Sequence, residues 1–389
     1  MHVQGIRFAS FLLPLLLLAG CATFAPRPPS GAEKASTAMS PGDNIDTSNG
    51  NILSREALLE ELARARIVYA GEMHTSIEDH RVQLNLLKDL HYRNASMVLA
   101  MEMLPREAQP VLDRFVRGEI DEEDFVREVH WEKIWGYPFQ LYRGLLAFAR
   151  DNRLKIVGLN APQEVVHKVA QGGLSSLTPE ERARVARDFH LDDPAHREHV
   201  RAEFEGHGRG HIKSFETFYE AQLAWEETMS ETLARVEKDL PEGGRILAII
   251  GKGHIAGRVG VPALTFLRTN RPFKTVAPIP FDYPGNINDP DIADFVLVVD
   301  KYESGHKGRL GVMIREQAAG GGVAVTGVVP GSPAERAGIR KGDVLLSIDG
   351  NPVSTLDDIH RALAGGTGSH WFTLKRDGED ISVAVTLGP

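Results

Sequence analysis

The chain has a single cysteine, Cys21, in 389 residues. An intramolecular disulfide is therefore excluded, and so is a metal site built on several thiolates. Basic residues are the minority charge: 44 Lys and Arg stand against 53 Asp and Glu, for a net charge of -9. That balance argues against a surface broadly adapted to nucleic acid, and no nucleic-acid partner is expected. Aromatic residues are sparse, at 7%. The N-terminal apolar run, Phe11 to Leu18, is broken by Pro14 and is too short for an ordinary membrane span. What is present is ordinary for globular protein, with 42% hydrophobic and 25% charged residues. The length suits two or three domains.

The N-terminus reads as an address. Arg7 supplies a positive charge, the apolar run follows, and Leu18-Ala19-Gly20-Cys21 ends it. A short apolar region closed by small residues is a secretory signal. The tetrapeptide resembles a bacterial lipobox, which implies a signal peptide over residues 1–21 and lipidation of Cys21. Ala22, where a retained lipoprotein would carry Asp, is similar to the pattern of outer-membrane sorting. The expectation is a cell-envelope protein, held to the outer membrane by its lipid and facing the periplasm. Residues 22–51 are rich in Pro, Ser, Thr, Gly, Ala and Asn without apolar periodicity, and read as a flexible tether.

From residue 52 to 301, short apolar strands alternate with helices. Ser54 is placed to cap a helix from Arg55 to Arg66. Ile67–Ala70, Met97–Met101, Lys155–Leu159 and Arg245–Ile250 read as buried strands, with Thr275–Ile279 and Phe295–Val299 after them. Ile77–His91, a helix opened by Pro105, and Phe139–Asp151 lie between. This pattern predicts an α/β fold, a mostly parallel sheet flanked by helices. A more polar helical insert runs from Thr178 to about Lys238, broken by Gly206-His207-Gly208-Arg209-Gly210-His211. Its histidines, His196 and His199 among them, are expected on a solvated face.

Residues 306–389 have a different texture, with short β segments and many glycines. Ser332-Pro333-Ala334, Ala337-Gly338-Ile339 and Lys341-Gly342-Asp343 lead into Val344 to Gly350. This strongly resembles a PDZ domain, which implies a small β-rich fold and an extended peptide or protein C-terminus as partner. Leu310, Gly311 and Val312 match the family's carboxylate-binding loop. His360 lies on the helix flanking the groove, where an ordinary surface histidine is the alternative.

Two loops carry the same pattern. Ile67–Ala70 runs into Gly71-Glu72-Met73-His74, and Ile246–Ile250 runs into Gly251-Lys252-Gly253-His254. Met97–Met101 ends on Glu102 in the same manner. Residues just past the carboxyl ends of parallel strands line the ligand crevice. Glu72, His74, Glu102 and His254 are therefore predicted to form one site, with His80 as a further member. Imidazole and carboxylate suit a divalent metal such as Zn, Mn or Fe(II). A carboxylate outside the ligand set, Glu72 or Glu102, would serve as general base.

At these residues the chain resembles the ChaN-type haem-binding lipoproteins, within the superfamily that includes Tiki and TraB proteins and erythromycin esterases. Gly71–His74 with His80, Met101-Glu102-Met103, Trp131-Glu132-Lys133-Ile134-Trp135, Gly158–Pro162, Gln222–Met229 and Gly251–His254 carry the likeness. It implies an α/β domain tied to haem or iron acquisition, with haem held at a dimer interface by tyrosine and assisted by histidine. A homodimer is thus one open state. Tyr137, Tyr142 and Tyr219 are the candidate tyrosines, each with the alternative of a core residue. His207 and His211 would belong to a haem-capture loop. Three functions stay open: haem binding, metal-assisted hydrolysis of the Tiki or esterase kind, and a PDZ adaptor on a non-catalytic platform.

Overall fold

The computed structural model describes residues 39–94, 96–190, 193–206, 214–301, 310–316, 321–328, 332–355, 358–359, 362–363 and 368–387. Cys21, His207, His211 and His360 lie outside the described residues. The chain divides into two compact units, Met1–Glu303 and Ser304–Pro389.

The first unit is built on an eight-stranded sheet. Its strands are β1 (Asn44–Asp46), β2 (Asn51–Leu53), β3 (Ile67–Glu72), β4 (Met97–Pro105), β5 (Lys155–Asn160), β6 (Arg245–Gly251), β7 (Phe273–Pro280) and β8 (Phe295–Val299). The order across the sheet is β2-β1-β8-β7-β3-β6-β4-β5. From β8 to β5 every pairing is parallel; β1 runs antiparallel to both its neighbours. The parallel strands are apolar throughout because both faces are covered. Val68, Ala70, Leu99, Met101, Leu247 and Ile249 face one core, shared with the helices Arg55–Ala63, Ile77–Arg93, Gln109–Arg117 and Gln140–Asp151. Their alternates Ile67, Tyr69, Val98, Ala100, Ile246 and Ala248 face the other, against the helices Phe215–Lys238 and Val261–Thr269.

Three expectations shift. Residues 22–51 were expected to form a tether throughout, yet Asn44–Asp46 pairs with β8 and buries Ile45. A single inward Ile on a short polar strand leaves no periodicity for the sequence to show; the segment is pinned instead by Thr47 Oγ1, which donates to the Ala293 carbonyl at 2.6 Å. The first helix is capped by Ser54 as expected but stops at Ala63. Arg66 turns away to donate to the carbonyls of Leu240, Pro241 and Gly244. Pro105 closes β4 rather than opening a helix, and Pro110 occupies the first turn of the next one.

The second unit is an antiparallel sheet of β9 (Val312–Glu316), β10 (Val323–Val328), β11 (Val344–Ile348), β12 (Asn351–Pro352), β13 (Gly368–Arg376) and β14 (Glu379–Leu387). The order is β14-β13-β11-β10-β9, with β12 beside β11. Leu310, Val323, Leu345, Ile348, Phe372 and Val385 form its core. Gly311 has φ +77°, and a Cβ there would stand 2.1 Å from Ser332 Cβ, so only glycine fits the turn into β9.

Where β4 and β5 separate, Gly158 meets the opposite backbone. A Cβ on residue 158 would lie 2.4 Å from the Pro105 carbonyl oxygen. Gly158→Ala is expected to destabilise the first unit by about 1–3 kcal/mol, measured as a lowered denaturant midpoint with an unchanged slope.

Candidate functional site

Three adjacent strands assemble the site at their carboxyl ends. β6 lies between β3 and β4, with Gly251 level with Glu72 and Ile249 level with Met101. Each strand delivers a polar group toward its carboxyl end: Glu72 closes β3, Glu102 interrupts the apolar run of β4, and His254 lies in the turn Lys252–His254 after β6. Gly251 leaves the space between them, for a Cβ there would stand 3.1 Å from His74 Cε1 and 3.5 Å from Glu102 Oε2. Glu72, His74, Glu102 and His254 therefore meet, and His80 joins from the helix Ile77–Arg93.

The contacts form two alternating runs of acid and imidazole, His80–Glu72–His74 and Glu102–His254–Glu226–His196, which approach each other at Gly251. His74 Nδ1 lies 2.8 Å from Glu72 Oε1, which also accepts the Tyr142 hydroxyl at 2.6 Å. The other Glu72 oxygen stands 3.4 Å from His80 Nδ1 and accepts Gln83 Nε2 at 2.9 Å. Glu102 Oε2 accepts the Gly251 N–H at 2.6 Å, and its Oε1 is 3.5 Å from His254 Nε2. His254 Nδ1 lies 2.7 Å from Glu226 Oε1, and the second Glu226 oxygen bonds His196 Nε2. Beside them Lys252 Nζ pairs with Asp79 Oδ2 at 2.7 Å, and that oxygen also accepts the Met73 N–H.

Burial and charge compete at every member. Burial alone pushes the Glu72 carboxyl up, but the ring charge of His80, the hydrogen bond and charge of His74 and the Tyr142 hydroxyl together outweigh it, and its pKa falls from 4.5 to about 2. Burial likewise opposes ionisation of Glu102 and Glu226; the charge of His254 and its hydrogen bond hold Glu102 down, and His196 with His254 does the same for Glu226. Burial disfavours charge on His254, yet Glu102 and Glu226 on its two sides raise it well above the ordinary 6.5. Tyr142 is pushed up, first by burial and then by the Glu72 charge.

This geometry revises several roles expected from sequence. His254 directs both ring nitrogens at carboxylates, Nε2 at Glu102 and Nδ1 at Glu226. Among the described residues, no group of three or more His, Cys, Asp or Glu is arranged to hold a metal ion. Of the tyrosines, Tyr142 and Tyr219 are fully buried, Tyr142 on Glu72 and Tyr219 beside His196. Tyr137 is half-buried, its ring 5.1 Å from that of His74 and 5.5 Å from that of Trp135. His196 is buried at 0% exposure rather than on a solvated face, and His199 Nε2 lies 3.0 Å from the Gly253 carbonyl.

Glu226 had no role assigned from the sequence. A signal was there: it sits three residues after Leu223 and three before Met229, both in the core, so it puts a charge on an apolar helical stripe. Asp79, Gln83 and Lys252 had no comparable mark, because their partners come from other elements.

A family model described as haem-binding uptake, Tiki superfamily, ChaN, matches residues 58–264. The chain belongs to the ChaN family. A PDZ domain model matches residues 324–376, so the second unit is a PDZ domain. Among solved structures, the ChaN-type unit is similar to ChaN of Campylobacter jejuni, reported with cofacial haem, at TM-score 0.53 and 18% identity over 67% of this chain and 97% of that one. That likeness bears on fold alone. Curated relatives include RETICULATA-RELATED 5 of Arabidopsis thaliana, 29% identical over 33% of this chain and 18% of the relative. Serine protease HTRA1 of Xenopus tropicalis is 38% identical over 17% of this chain and 14% of the relative. The chain spans less than a fifth of the length of these relatives.

The ion chain fixes how stability of the ChaN unit depends on pH. Glu72 has a folded pKa below its unfolded one, so its contribution is present above about 4.5 and lost as pH falls toward about 2. His254 has a raised folded pKa, so its contribution is full below 6.5 and lost as pH rises through the folded value. Denaturant midpoints measured across pH should show a plateau with an acid and an alkaline limb. His254→Ala should remove much of the alkaline limb and cost about 3–5 kcal/mol at neutral pH, because it removes the cation between the buried carboxylates of Glu102 and Glu226 and leaves them only His196 and the Gly251 N–H as partners.

Proposed function

We propose that this chain is a lipid-anchored envelope protein whose ChaN unit binds haem and whose PDZ domain recruits a peptide or protein C-terminus. Family membership carries the reading, and the half-buried Tyr137, packed on His74 and Trp135, supports it. Haem brings a flat apolar macrocycle, an axial position for a protein donor and two carboxylate tails. Tyr137 suits the axial position, since it is the half-buried one among the three candidate tyrosines and packs on His74 and Trp135. Tyr142 and Tyr219 do not fit, because each is buried against the ion chain. His74 sits behind Tyr137, held by Glu72, and serves as the assisting histidine. The tyrosine lies near the surface, which is compatible with haem shared between two copies of the chain.

In the PDZ unit β9 is at the sheet edge, with β10 on one side. Its backbone is open to strand addition by a peptide, and Leu310 and Gly311 in the preceding turn offer N–H groups to a terminal carboxylate. The lipobox-like segment at Cys21 would tether both units to one membrane and so bring the recruited partner near the haem site. A divalent metal has no place in this reading.

Haem titration of the full chain followed at the Soret band tests the first half. Wild type is expected to give a saturable band, Tyr137→Phe to weaken binding at least tenfold, and Tyr142→Phe to leave the affinity within a few-fold. A chain that gives no band, or a Tyr137→Phe variant that binds like wild type, would refute the assignment. For the PDZ unit, a library-selected peptide with a free C-terminus should bind at least tenfold more tightly than its amidated form by fluorescence polarisation.

A further inference from the structure

The ChaN unit holds a second polar feature that the site does not use. A cavity of about 370 Å³ lies between the segment after β4, residues 183–187 and the helix Phe215–Lys238. Its charged lining is Arg106, Arg184, Arg187 and Arg235 against Glu107 and Glu231. A second cavity of about 260 Å³ shares Arg106 and Arg235 and adds Lys155 and Asp239 at the edge strand β5. In a chain with net charge -9, arginines gathered around one concavity call for a reason.

The internal pairings leave cations over. Both Glu107 oxygens accept from Arg184, at 2.7 and 2.8 Å. Glu231 bonds Arg106 Nη1 at 2.9 Å through one oxygen and the Arg187 backbone N–H at 3.0 Å through the other. Arg106 is fixed further by the carbonyls of Ala183 and Val185. Arg106 and Arg184 thus form a rigid floor whose charge is already met. Among the described residues, the side chains of Arg187, Arg235 and Lys155 have no carboxylate partner. Glu231, on the same helix, and Asp239, just past its end, each stand four residues from Arg235, a spacing suited to pairing, yet neither bonds it.

We infer that this double cavity is a binding site for a phosphate-bearing anion, with Arg187 and Arg235 as its forks and Lys155 as a point charge beside them. Guanidinium groups match the geometry of phosphate oxygens two at a time, and an ammonium adds unspecific attraction. Asp239 leaves the three free cations with a surplus of two charges, which suits a doubly charged group. The phosphate is supplied either by a soluble phosphoryl compound or by the headgroup of an anionic lipid. None of these residues belongs to the Glu/His chain, so the inference stands apart from haem binding.

The test uses the full chain in two arms: calorimetric titration with pyrophosphate, and co-sedimentation with phosphatidylglycerol against phosphatidylcholine vesicles. In at least one arm, binding should fall tenfold or more in the double variant Arg187→Glu, Arg235→Glu, and fall less far, by about threefold to tenfold, in Arg187→Lys, Arg235→Lys, which keeps the charge and loses the forks. Pyrophosphate binding without a lipid preference assigns a soluble ligand. A phosphatidylglycerol preference erased by the double glutamate variant assigns a headgroup. Equal binding by wild type and double variant in both arms, or none by wild type in either, overturns the proposal. Haem titration of the same variant is expected to match wild type, which separates failure here from failure of the haem reading. Should the double variant lose helicity by circular dichroism, Arg235→Gln with Lys155→Gln is measured against the same thresholds.

Discussion

The ChaN unit depends on a buried ionic chain. Glu102, His254, Glu226 and His196 alternate across the carboxyl end of the sheet, and Glu72 with His74 and His80 extends the set on the other side of Gly251. Buried charges are costly to desolvate, and a pair rarely repays that cost with much net stability. What the chain supplies is specificity. Each member is satisfied in one arrangement only, so strands β3, β4 and β6 and the helix carrying Glu226 must meet in one register. The same arrangement holds His74 still beneath Tyr137 and Trp135.

Much of this was legible in the sequence. The repeated strand-Gly-x-x-His pattern located both loops, and the end of the run at Glu102 located the third strand, because in a parallel sheet an apolar strand that stops on a polar residue marks the crevice. The α/β and PDZ units followed from periodicity and motif. The short strand Asn44–Asp46 was hidden because its pairing with β8 is long-range and only Ile45 is apolar. Burial of His196 was hidden because its partner Glu226 is thirty residues away on another helix. A local pattern shows a face and cannot show which charge waits opposite it. Spacing brings groups together but does not tell whether they face a common point or one another, as His254 faces Glu102 and Glu226.

The two units divide the chemistry. Charge in the ChaN unit is interior and self-compensating at the sheet end, while uncompensated cations collect around the concavity beside β5. The PDZ unit offers mainly backbone, an edge strand and a glycine turn. The sheet-end site, the PDZ edge strand and the cation-lined concavity thus rest on different residues and different physical means.

Arg66 has a mechanical consequence. Its guanidinium joins the start of β3 to Glu237 and to the carbonyls that follow the helix Phe215–Lys238, clamping that end. Glu226 stands eleven residues back from Glu237, about 16 Å along the axis at 1.5 Å per residue. The helix is a lever pivoted at Arg66. A tilt of about two degrees would carry the Glu226 carboxylate about half an ångström, enough on a hydrogen-bond length scale to tighten or slacken its hold on His254. The arginine before β3 thus anchors the end of the same helix that carries the interior carboxylate.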